Sequence, residues 1–140
     1  MNLRPAFIAA AVAALAGSCA PASRLPGQQM SVCFSSPEAL SGIVEEMRAY
    51  SKRSRRVFAI DRWEEDKVVF QASGIRSEIV GSSMLQPGIL RIYFYGRAFG
   101  PSASLGELDE IKREVAVLPA VSKAHNACVA RSHGQRSSAA

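Results

Sequence analysis

No stretch of this sequence is apolar for the roughly 20 residues a helix needs to cross a bilayer core. The longest apolar run, Ala6–Ala16, stops at eleven, which excludes a spanning helix there. Cysteine is scarce: there are three in 140 residues and no Cys-x-x-Cys pair, so the commonest signature of a structural zinc or dithiol site is missing. Histidine is scarcer, with only His125 and His133. The serines in 77–83 and 102–106 therefore have no base placed beside them for nucleophilic catalysis. The motifs GxSxG, HExxH, GxxxxGK[ST] and GxGxxG are all absent. No repeat or low-complexity tract interrupts residues 31–130, and no excess of one charge marks them. They carry 13 Lys+Arg against 12 Asp+Glu, whereas a nucleic-acid binder shows a basic face over its whole domain. These absences point away from an enzyme, a cofactor and a nucleic-acid partner.

What is present is enough for one modest core: 48% apolar, 21% charged and 7% aromatic residues, the composition of an ordinary globular domain. The N-terminus has a different character. A charged start at Arg4, the apolar run and then Gly17-Ser18 have the layout of a secretory signal over residues 1–18.

Leu15-Ala16-Gly17-Ser18-Cys19 resembles the lipobox of bacterial lipoproteins, with Leu15 one place earlier than the family's usual leucine. The resemblance implies cleavage before Cys19, lipidation of Cys19 and attachment to the cell envelope. Ala20, where that family uses Asp for inner-membrane retention, implies the outer membrane, facing the periplasm. Two or more acyl chains give stable anchoring. Residues 19–30, with two prolines and a glycine between Ala20 and Met30, read as the lipidated cysteine and a flexible spacer.

Once Cys19 carries lipid, Cys33 and Cys128 remain and an oxidising periplasm favours their pairing. The competing ligand set of His125, Cys128 and His133, with Cys33, has the right residue types for zinc. It is the weaker reading, because much of it falls in a tail-like segment.

The pattern from 31 to 130 predicts one α+β domain. Ser36-Pro37-Glu38 is a helix start, and Leu40, Ile43, Val44, Met47 and Tyr50 recur at helical spacing. Lys52 to Arg56 place positive charge where the helix dipole is negative. Strand-like segments follow at 57–60, 67–72, 75–80 and 89–97, separated by turns around 61–66, 73–74 and 86–88. A second helix carries Leu105, Leu108, Ile111, Val115 and Leu118. Pro119 interrupts it, and 120–130 continue as a short last helix bearing Cys128. Residues 131–140, polar and basic, read as a disordered tail. The expected architecture is a two-layer sandwich, with a three- to four-stranded antiparallel meander between a helix before and a helix after it.

In the 89–97 strand, Leu90, Ile92 and Phe94 point one way, and Arg91, Tyr93, Tyr95 and Arg97 the other. Aromatics and arginine are enriched at interface hot spots, so this row is the candidate partner-binding surface. The acids Glu64, Glu65 and Asp66 read as a solvated turn, and the basic 52–56 cluster as a helix end or a contact for anionic lipid or peptidoglycan at the membrane surface. The leading expectation is a small envelope lipoprotein that binds a periplasmic protein as a structural or assembly accessory. The alternative is an inhibitor or immunity-type lipoprotein that blocks a toxin or cell-wall hydrolase.

Overall fold

The computed structural model describes residues 26–138, so the signal segment and Cys19 lie outside the described residues. The chain builds β1 (Gln28–Cys33), α1 (Pro37–Arg53), β2 (Val57–Glu64), β3 (Lys67–Ser73), β4 (Ser77–Ser82), β5 (Ile89–Gly96), α2 (Leu105–Ala116) and α3 (Pro119–Ser138). The strands form one antiparallel sheet in the order β1-β5-β4-β3-β2. The α+β class and the meander β2–β5 agree with the sequence pattern. The count does not, because the described residues form five strands and three helices.

The fifth strand is β1, which begins inside the stretch that reads as spacer. Met30, Val32 and Phe34 do alternate with Gln29, Ser31 and Cys33. The alternation is short, though, and follows Pro26-Gly27, which suggests a linker. What makes it a strand is the unpaired edge of β5, with which it pairs from Gln28↔Phe94 to Cys33↔Ile89. The chain then crosses the whole sheet through α1 to reach β2 at the far edge.

Local chemistry sets the element ends. The Ser36 side chain accepts the N–H of Ala39 at 3.2 Å and Pro37 opens α1. At its C-terminus, Arg56 N–H donates to the Ser51 carbonyl and Arg55 N–H to that of Lys52, with Arg55 left-handed at φ 58°. This is a Schellman motif with arginine where glycine is favoured. The capping box of α2 is complete: the Ser104 side chain accepts from Glu107 N–H, and the Glu107 carboxylate accepts the Ser104 N–H at 2.6 Å. Pro119 starts α3 instead of ending α2, as its preset φ permits. The helix continues through Ser138, past the change in composition at 131. β2 runs to Glu64, with a register shift between Ile60 and Arg62 that absorbs the polar Asp61. The β3–β4 turn spans 74–76, so Ile75 sits at its tip and not in a strand.

All three helices bury their apolar sides in one core. Phe70, Phe94, Ile79, Leu90, Ile92, Val32 and Val68 from the sheet meet Leu40, Ile43, Val44 and Met47 of α1 and Val115 of α2, all at 1% exposure or less. Val121 and Ala124 of α3 complete it. Each such aliphatic or aromatic side chain contributes about 1.5–3 kcal/mol. Gly81 faces this core because a Cβ there would run into the Phe70 ring. Gly88, at φ 74°, shapes the turn into β5 and accepts the Phe34 N–H at 3.0 Å.

Cys33 and Cys128 are joined, with their Cα atoms 5.0 Å apart. The bond fastens α3 along the outer edge of β1, where His125 Nδ1 also lies 3.3 Å from the Ser31 carbonyl. A helix laid there shields a strand edge that other chains could pair with. No helix among the described residues is long and apolar enough to cross a membrane.

Candidate functional site

Strand periodicity divides the sheet into a helix-covered face and an opposite one. On β5, Leu90, Ile92 and Phe94 are fully buried while Arg91, Tyr93 and Tyr95 are half-buried. β3 and β4 repeat the alternation. The pairing registers then place the opposite face in three rows across the strands. Ser31, Arg91, Ser82, Val69 and Arg62 form one; Gln29, Tyr93, Val80, Gln71 and Ala59 the next; Tyr95, Glu78, Ser73 and Val57 the third.

The centre of this face holds Tyr93, Tyr95 and Val80 beside the polar Gln71 and Glu78. Tyr93 and Tyr95 lie two residues apart on β5 with ring centroids 6.3 Å apart and planes inclined by 40°. Val80 stands opposite Tyr93 on β4. A shallow depression of about 280 Å³, lined by Gln71, Glu78, Val80 and Tyr95, opens beside them. Polar groups ring the centre: Gln71 donates to Asp61 on β2, and Arg62 pairs with Glu64 at 3.2 Å.

The four residues of the β5 row are not equivalent. Tyr93 and Tyr95 hold the middle. Arg91 donates to Gln86 Oε1 at 2.9 Å, tying it to the β4–β5 loop. Arg97 lies beyond the strand and donates to the Gly74 carbonyl at 2.8 Å. The arginines thus brace loops at opposite ends of the sheet, and the tyrosine pair forms the surface itself. Val69, Val80, Gln71 and Glu78 belong to the same surface. The period-2 alternation of β3 and β4 signals them, but only the registers bring them beside the tyrosines.

Elsewhere the chemistry is structural. Glu64 belongs to β2 and Glu65 and Asp66 form its two-residue turn, with Glu65 left-handed at φ 51°. Ser83, buried, accepts the Val68 N–H and donates to the Asp66 carbonyl, both at 2.8 Å. Ser77 accepts from Arg56 Nη2 at 2.7 Å. These two serines lock strand ends and have no base beside them. The disulfide uses both sulfurs of the zinc-type set, and among the described residues no group of three His, Cys, Asp or Glu is placed to hold a metal ion.

A crevice of about 470 Å³ between α1 and α3 has an apolar floor that includes Ile43, Ala120 and Ala124, with Lys123 and Arg131 at its walls. None of its lining residues is a carboxylate or an imidazole, so it offers no acid–base pair.

Two side chains, the buried Tyr50 and the exposed Glu107, have shifted acidities. Burial pushes the Tyr50 phenol up to about 12, helped by the hydrogen bond it donates to Glu114 Oε2 at 2.7 Å. The Glu107 carboxyl is held below its ordinary value, first by the Ser104 N–H and then by Arg76, 3.2 Å away.

No protein-family model matches this chain, and no match was found among curated proteins or solved structures.

Proposed function

We propose that this chain is a lipid-anchored protein of the bacterial cell envelope that works by binding, its open sheet face docking a periplasmic protein as a structural or assembly accessory. The observation that carries the reading is the Tyr93–Tyr95 pair on the half-buried sheet face opposite the buried core, which α3 meets at its β1 edge through the Cys33–Cys128 bond. Rigid aromatic side chains on a strand give large contact area at low ordering cost, and such anchors dominate interface energetics. The address rests on the lipobox resemblance at Leu15–Cys19, which attaches the protein to the periplasmic side of the outer membrane. The Cys33–Cys128 bond fits that oxidising compartment.

The test is a photo-crosslinking amino acid placed at Tyr93 in the full chain expressed in bacteria, with the exposed Arg113 of α2 as the reference position. A discrete protein adduct at 93 that is absent at 113 supports the reading. Equal labelling, or none, overturns it. The inhibitor alternative uses the same face or the acidic 64–66 turn, and an adduct at 93 to a toxin or wall hydrolase favours it. Mass spectrometry of membrane-extracted protein tests the anchor separately, by the acyl mass on Cys19.

A further inference from the structure

The two ends of the domain differ in their balance of charge. At one, β1 begins, β5 finishes and the β3–β4 turn projects; the described chain enters here through Pro26 and Gly27, whose N–H donates to the Phe94 carbonyl at 3.0 Å. Three large apolar side chains stand out on this proximal end: Phe99 is 90% exposed, Ile75 83% and Val57 73%. All three lie next to one cleft: Phe99 lines it with Ser73, Gly74 and Arg97, Val57 pairs with Ser73, and Ile75 follows Gly74 in the turn.

Six cations surround them. Lys52 and Arg53 end α1 and Arg55 and Arg56 follow it; Arg56 donates to the Ser77 carbonyl at 3.1 Å, which brings that helix end against the turn. Arg76 and Arg97 supply the rest. The acids nearby are Glu78, Glu107, Glu110 and Glu114. Glu107 pairs with Arg76, and Glu114 accepts from Tyr50. The distal end carries Glu38 and the Glu64–Asp66 turn together with Arg62, Lys67 and Arg91, so its acids and cations nearly balance, and its most exposed large apolar side chain is Leu85 at 67%. Arg55 holds its place in a left-handed conformation that costs a non-glycine residue free energy, so charge stands where local stability favours glycine.

Exposed aromatic and aliphatic tips amid Lys and Arg are the pattern of an interfacial membrane contact, in which apolar groups enter the headgroup region and cations meet anionic lipid. From Cys19 to Pro26 is seven residues, a reach of at most about 25 Å, so an anchor on Cys19 holds this same end near the bilayer. We infer that the proximal end docks on anionic phospholipid, with Phe99 and Ile75 inserting between headgroups and Arg53, Arg55 and Arg97 pairing with phosphates. This orientation stands the sheet on the membrane and leaves the Tyr93–Tyr95 face directed sideways, open to a partner. It deepens the proposed function and rests on its tether only for orientation.

The experiment uses Trp63, the sole tryptophan, near the distal end of β2, as internal reference. The full chain is reconstituted into brominated phosphatidylcholine vesicles with or without phosphatidylglycerol. The same is done for Phe99→Trp and Ile75→Trp, each in a Trp63→Phe background. Bromolipid quenching of the introduced indoles is expected to exceed that of Trp63 by about twofold or more in the anionic vesicles. It should fall in neutral vesicles and in high salt, which screens headgroup charge, and also when Arg53→Glu and Arg55→Glu are added. Quenching no greater than that of Trp63, or insensitive to phosphatidylglycerol, overturns the inference. Absence of an acyl mass on Cys19 removes the anchor but leaves this comparison intact, so the two readings fail separately.

Discussion

Cys33 at the end of β1 is bonded to Cys128 on α3, a sequence separation of 95 that takes in every other strand. The strand that comes first and the helix that comes last are thereby held side by side. In the chain-entropy account, closing a loop of this length restricts the unfolded ensemble by about 4–5 kcal/mol. The double substitution Cys33→Ser with Cys128→Ser is expected to lower unfolding free energy by about 3–5 kcal/mol, read as a lower denaturant midpoint. Reductant should shift the parent protein towards the variant and leave the variant unchanged.

The tyrosines and the arginines of the β5 row should separate energetically. Tyr93→Ala and Tyr95→Ala are expected to weaken partner association by about 2 kcal/mol or more each, the scale of interface hot spots. Arg91→Ala, whose guanidinium is already engaged with Gln86, should cost less than about 1 kcal/mol. Titration calorimetry with the crosslinked partner measures both. A larger loss from Arg91 than from either tyrosine contradicts the assignment.

Tyr50 makes stability sensitive to alkali. Its phenol ionises at about 12 in the folded state against 10.0 ordinarily, so the unfolded chain loses this proton first. The neutral phenol's contribution is complete below pH 10 and is lost as pH rises from 10 towards 12. Denaturant melts across that range should show a decline that Tyr50→Phe reduces.

Glu107 acts in the opposite pH region. Its carboxyl is held below the ordinary 4.5 by the Ser104 N–H and Arg76, so the charged form favours the fold. That contribution is present above 4.5 and is lost as pH falls through the lowered value. Glu107→Gln is expected to flatten the acid limb of the stability curve, measured by thermal melts between neutral and acidic pH.

Arg55→Gly relieves a left-handed arginine at φ 58°. The substitution is expected to raise stability by about 0.5–1 kcal/mol, seen as a higher melting temperature, while reducing quenching at the proximal end in anionic vesicles. A fall in stability counts against conformational relief as the dominant effect.

Much of the local structure was legible in the sequence. Ser36-Pro37 marked a helix start and its apolar stripe supplied Leu40 to Tyr50. The alternation of β5 separated Leu90, Ile92 and Phe94 from the tyrosines. Cysteine parity pointed to the Cys33–Cys128 pair. Other features lay out of reach. Gln28–Cys33 is a poor strand judged alone, and Ile75 reads as strand until the turn around it is seen.

What the residues settled unaided are matters of short range: caps, periods, and which side chains share a face, because hydrogen-bonding groups and apolar spacing within a few positions suffice. Tertiary structure decided that the first strand pairs with the last. It also decided that Val57, Ile75 and Phe99 converge at one end, and that the tyrosine face extends onto β3 and β4. Those outcomes depend on burying a common core and satisfying a sheet edge between segments distant in the chain, a balance no local window contains.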